Sequence, residues 1–80
     1  MDDNNNADDV RQSLYEEFLS EVVKAGNPEA FFDETDLIEI YDYSSDMDNY
    51  IAKMEVLLYG ARHYPDSQAL ATRRAWFYSS

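Results

Sequence analysis

Cysteine is absent from the 80 residues, so neither a disulfide nor a thiolate metal site can staple the fold. Glycine and proline number two each. That leaves few tight turns and favours a few long helices over many short strands. Cations are scarce too, with six Lys and Arg against 17 Asp and Glu, a formal net charge of −11. So acidic a chain repels phosphate backbones and anionic lipid, which argues against nucleic-acid and membrane partners. A protein partner is expected to be basic or apolar rather than acidic. No apolar run approaches the roughly 18 residues of a membrane span. The opening Met1-Asp2-Asp3-Asn4-Asn5-Asn6 lacks the positive charge and apolar block of a secretory signal. A cytoplasmic location is the expectation that follows.

What is present suffices for a packed core: 45% of residues are hydrophobic and 15% aromatic. The length fits one domain. A chain this short buries only about 60–65% of its unfolded surface, so its stability margin is thin.

Residues 1–7 read as a disordered acidic tail. Residues 8–80 read as one all-α domain with helices near 8–25, 33–45, 48–64 and 67–79. In the first helix Val10, Leu14, Phe18 and Val22 recur every four residues, with Tyr15, Leu19 and Val23 alongside. Gly26 supplies a left-handed stop and Pro28 prevents continuation. The adjacent Phe31 and Phe32 are expected to plug the edge of the core from the connector. Asp33 is the expected N-cap of the second helix, with Asp36 three residues on, and Phe32 and Leu37 are spaced as a hydrophobic staple. That helix carries Leu37, Ile40, Tyr41 and Ser44 on one face and ends near Ser44-Ser45-Asp46, residues that favour turns. Asp46 or Asp48 is the expected cap of the third helix. Its apolar stripe, Tyr50, Met54, Leu57, Ala61 and Tyr64, steps 4, 3, 4, 3, a seam suited to close helix packing. After Pro65, Asp66 or Ser67 is expected to cap a last helix that buries Leu70, Ala71, Ala75, Phe77 and Tyr78.

Chemistry-bearing patterns are few. His63 is the lone histidine, placed to serve a helix C-terminus. Asp42, Asp46 and Asp48 lack the glycine and terminal Glu of a calcium loop. No carboxylate lies on an apolar stripe, where a general acid would need to be. Gly26 and Gly60 stand alone, so no phosphate loop exists. Arg62, Arg73 and Arg74 gather near Pro65, where they offset acidic neighbours or bond helix-end carbonyls. No catalytic residue, metal or cofactor is therefore expected.

The spacing from Glu34 to Pro65 resembles the tetratricopeptide repeat, a 34-residue helix–turn–helix. With Pro65 on the pattern's proline, Leu37 falls on its Trp, Ile40 on its Leu, Tyr41 on its Gly and Ser44 on its Tyr. Lys53 takes the first Ala, Leu57 the Phe and Gly60 the later Ala. A second repeat opens at Gln68, with Ala75 on the small position and Tyr78 on the Tyr. Tyr-Pro-Asp-Ser, followed by Leu70, Arg73, Arg74 and Ala75, resembles the junction between repeats in divergent bacterial members. Tyr41 and Lys53 depart from the pattern where small residues normally let the helices approach, although Ala52 would make that approach after a small rotation.

This resemblance covers about one and a half repeats. It implies antiparallel helix hairpins stacked as a short right-handed solenoid of about four helices. It also implies a bacterial, non-catalytic scaffold that holds a protein or peptide. The groove of such scaffolds is lined by the first helix of each hairpin, here Thr35, Ile38, Asp42 and Ser45, then Thr72, Arg73 and Trp76. Trp76, Phe77 and Tyr78 leave the last helix apolar, so self-association through it is expected. The competing reading is a small acidic helical bundle that neutralises a basic protein.

Overall fold

The computed structural model describes residues 6–79. Of the tail expected over residues 1–7, residues 1–5 lie outside that range. Four helices follow in order: α1 (Asn6–Phe18), α2 (Glu34–Asp46), α3 (Tyr50–His63) and α4 (Gln68–Ser79), with a π-helical segment, Leu19–Lys24, continuing α1. No strand occurs among the described residues. The helix at the N-terminus begins two residues earlier than the sequence predicts.

The π segment has a reason in the periodicity. Residues four apart advance about 400° around an α-helix, so a strict four-residue stripe drifts about 40° per step. Val10, at one end of that drift, is 58% exposed rather than buried, whereas Tyr15 and Phe18 enter the core. The wider π turn takes up the drift on the other side. There Leu19, Val22 and Val23 are half-buried against the core. Gly26, at φ +61°, ends the helix in the left-handed region.

Two short links follow the expected chemistry. Asp33 Oδ1 accepts the Asp36 N–H at 2.8 Å, capping α2, and Phe32 and Leu37 on either side are fully buried. Ser67 Oγ accepts the Leu70 N–H at 3.2 Å and so caps α4. The α2–α3 turn differs. Asp46 closes α2 and Asp48 sits at φ +56°. Asn49 is the cap, its Oδ1 accepting the Ala52 N–H at 3.0 Å while its Nδ2 donates to the Tyr15 hydroxyl at 2.8 Å. The amide thus serves both contacts at once, its oxygen accepting at the cap and its nitrogen donating to Tyr15.

Phe18, Phe32, Leu37, Ile40, Tyr41, Ala52, Val56, Leu57, Tyr59 and Leu70 form one core. The seam of α3 is rotated from the expected stripe. Ala52, Val56, Leu57, Tyr59 and Gly60 face inward, Tyr50 and Ala61 are exposed, and Met54 is half-buried. Small residues at 52 and 60 let neighbouring helices close in, and their low hydropathy hides that face from a count of large apolar residues. Of the side expected to bury α4, Leu70 is buried and Phe77 half-buried, while Ala71, Ala75 and Tyr78 face solvent.

The helices stack in a running order. α1 packs on α2, and its π segment reaches α3; α2 packs on α3 and α4, and α3 on α4. Among the described residues, neither α1 nor its π segment packs against α4. Arg11 ties α1 to α2 through Glu39 at 3.1 Å and Asp46 at 3.7 Å, beside the Tyr15–Tyr43 ring pair. No helix among the described residues is long and apolar enough to cross a membrane.

Candidate interaction surface

Thr35, Ile38, Asp42 and Ser45 step 3, 4, 3 and so share one face of α2. α4 lies alongside, and the two helices meet at Asp42 and Arg73. Arg73 Nε donates to Asp42 Oδ1 at 3.0 Å and Nη2 to Oδ2 at 2.9 Å. Its third nitrogen, Nη1, bonds the Ala69 carbonyl at 3.1 Å. The guanidinium also lies 5.3 Å from the centre of the Trp76 ring, within cation–π range. Below this pair the Tyr41 hydroxyl donates to the Arg73 carbonyl at 3.3 Å.

These contacts shift two proton affinities. The Asp42 hydrogen bond holds the Arg73 guanidinium above its ordinary value, against the opposing pull of burial. Burial, and then the nearby Asp42 charge, raises the Tyr41 phenol above 10. Asp42 and Arg73 therefore act on each other and fasten α4 to α2. The remaining residues of the face are divided. Thr35, Ser45 and Thr72 are exposed and Ile38 is half-buried. The Thr72 hydroxyl bonds back to the Gln68 carbonyl at 2.9 Å. Trp76 is 54% exposed and is the one large apolar side chain among these seven residues that is exposed.

Two further features escaped the sequence pattern. The first is the connector before α2. Tyr59 donates to the Ala30 carbonyl at 2.7 Å and accepts the Phe32 N–H at 3.1 Å. Tyr64 donates to the Phe32 carbonyl at 2.9 Å. Tyr59 of α3 and Tyr64 just past its end thus clamp the backbone on both sides of Phe31, which is 75% exposed while Phe32 is buried. The pair splits because neighbouring side chains of an extended segment point opposite ways, a signal that was present in the sequence. The second feature is a row of rings across α3 and α4. Tyr50 stacks on Phe77 at 4.9 Å, and Phe77 meets the edge of Tyr78 at 5.5 Å.

His63 stacks on Tyr59 at 4.2 Å in the last turn of α3. It borders a cleft of about 430 Å³ between the π segment and α3, away from the α2–α4 face. Among the described residues no three His, Asp or Glu side chains gather as a metal site would require. No protein-family model, curated protein or solved structure matches the chain.

Proposed function

We propose that this chain is a non-catalytic protein-interaction scaffold of tetratricopeptide type, holding a protein or peptide on the joined faces of α2 and α4. The observation that carries the reading is the packing order. α1 touches α2, the π segment that continues it touches α3, α2 touches both α3 and α4, and α1 does not return to α4. A closed four-helix bundle would bring its first and last helices together. A running stack instead sets alternate helices side by side and leaves both ends open. Fully buried Ala52 suits a close approach within the α2–α3 hairpin, and Gly60, packed against Leu70, suits a close approach of α4 to that hairpin. The open end at α4, with its exposed rings, is also the surface through which the chain associates with itself.

A second reading, an acidic regulator of a basic protein, draws on the charge distribution. Residues 1–46 hold 14 of the 17 acidic side chains and two of the six cationic ones. One experiment separates the two. The immobilised chain is used to capture proteins from its native lysate, alongside Trp76→Glu and Thr35→Arg variants, in low and high salt. The scaffold reading expects a retained protein that both variants lose and that survives high salt, because apolar contacts are little screened. Retention that ignores both variants and vanishes with salt supports the charge-driven reading and overturns the first.

A further inference from the structure

We propose that Phe31 of one copy docks on the Tyr50–Phe77–Tyr78 row of a second copy, joining chains head to tail. The proposal rests on the reading of α4 as a self-associating end, and it names the surface that meets that end.

Three observations converge on it. First, Phe31 is displayed on a fixed backbone. The Ala30 carbonyl and both backbone polar groups of Phe32 are held by Tyr59 and Tyr64, while Phe31 itself is 75% exposed. An aromatic anchor that is ordered before binding loses little freedom on binding, and such anchors dominate interface energetics. Second, the row on α3 and α4 is an apolar platform with Tyr50 60% and Tyr78 75% exposed. Offset and edge-on contacts suit a further ring there.

Third, the charges match. Exposed Glu29 and Asp33 flank Phe31 two residues away on either side. On the platform, Lys53 Nζ lies 6.0 Å from the centre of the Phe77 ring and exposed Arg74 shares a helix face with Phe77 and Tyr78, two cations against exposed Asp48 beside Tyr50. Two copies that each carry −11 repel at long range. Residues 47–80 hold four cations against three acids, so this half is where an acidic neighbour is tolerated. The knob and the platform are different surfaces, so the contact is heterologous and leaves one of each free at the ends of every assembly.

Sedimentation velocity on the full chain across a micromolar concentration series tests this, with Phe31→Ala and Tyr78→Ala each measured alone and then mixed. Both substitutions are at exposed rings, and circular dichroism confirms that each variant is folded. Wild type is expected to grow beyond dimer as concentration rises, and more readily in high salt, which screens the repulsion between two copies of charge −11. Each variant alone is expected to associate at least about 30-fold more weakly, the size of an aromatic hot spot. Mixed one to one, the variants are expected to form dimers and stop, because each supplies the surface the other lacks. If Tyr78→Ala abolishes association and Phe31→Ala does not, the docking of Phe31 is wrong and α4 pairs by another face. A wild type that stays monomeric throughout overturns both this contact and self-association at α4.

Discussion

Leu70 of α4 occupies the space that a side chain on Gly60 of α3 would need. A β-carbon built on Gly60 would stand 2.8 Å from Leu70 Cδ1 and 3.7 Å from its Cγ. Both residues are buried. Gly60→Ala sets two effects against each other. Helix propensity favours alanine by about 1 kcal/mol, while one leucine methyl has to move. The expected change in urea-unfolding free energy is therefore within about 1 kcal/mol of zero, given the typical range for small overpacking changes. Gly60→Val adds two branches in the same space and is expected to lose about 1–3 kcal/mol. Adding Leu70→Ala should recover part of that loss. A Gly60→Val variant as stable as wild type would show that α4 is not seated on α3 at this point.

The Tyr59 phenol is the partner of a buried donor, and Tyr64 serves only an acceptor. Tyr59→Phe leaves the Phe32 N–H without its bond, at a residue 1% exposed. A buried orphan of this kind costs about 1–3 kcal/mol. Tyr64→Phe removes the donor to the Phe32 carbonyl, and a lost bond to an acceptor with a second lone pair is expected to cost about 1 kcal/mol or less. Urea unfolding should rank the two in that order. Amide exchange at Phe32 should quicken in Tyr59→Phe ahead of global unfolding. Equal losses in both variants would mean that the connector is held by ring packing alone.

How far the sequence carried the fold follows from the same contacts. Helix number and ends were legible because they depend on local chemistry: the Asp33 cap, the positive φ of Gly26, and Pro65 after α3. Inward faces were less so. On α3 the buried side is built from Ala52 and Gly60, residues chosen for their smallness, and hydropathy does not mark them. Asn49 caps α3 in place of the expected aspartate, and its amide also bonds a tyrosine 34 positions earlier, a contact that exists only in three dimensions. Asp42 and Arg73, expected to face a partner, bind each other for a related reason. The opposite charges are 31 residues apart, and only the approach of α2 and α4 pairs them. Phe31, expected to bury with its neighbour, is exposed because adjacent side chains of an extended segment point opposite ways, and the bonds from Tyr59 and Tyr64 hold Phe32 as the one turned inward.

The Asp42–Arg73 fork is expected to have a spectroscopic signature. Trp76 is the single tryptophan, and the guanidinium lies over it. Arg73→Lys removes the planar fork and the stacking together, although the positive charge remains. Tryptophan emission should therefore shift in Arg73→Lys and stay unchanged in Arg74→Lys. With side chains 15% and 41% exposed, the pair is partly screened, so a double-mutant cycle with Asp42→Asn and Arg73→Gln should give a coupling of about 1 kcal/mol that declines with salt. No coupling would reduce the fork to a surface contact and leave the Tyr41 and Ser67–Glu34 hydrogen bonds to hold α4 on α2.

Alkaline pH should loosen the fold through two phenols. Tyr41 is raised above 10 first by burial and then by the Asp42 charge. Tyr64 is raised first by burial, and then by Tyr59 and the acidic residues near the start of α2. In both cases the folded chain favours the protonated form more than the unfolded chain does. Their contribution to stability is therefore complete below pH 10 and is lost as pH rises through the higher folded values. Each hydroxyl donates to a backbone carbonyl, and a phenolate has no proton to give, so ionisation breaks the bond as well. A phenolate absorbance titration of the native protein should show Tyr41 and Tyr64 ionising late, together with loss of helical circular dichroism. The delay should vanish in urea, and Tyr41→Phe should remove one late phenol while lessening the alkaline loss of stability. If no late-ionising phenol is lost in Tyr41→Phe or Tyr64→Phe and the helices persist at alkaline pH, neither hydroxyl is held as described, and α4 and the connector are fastened by other means.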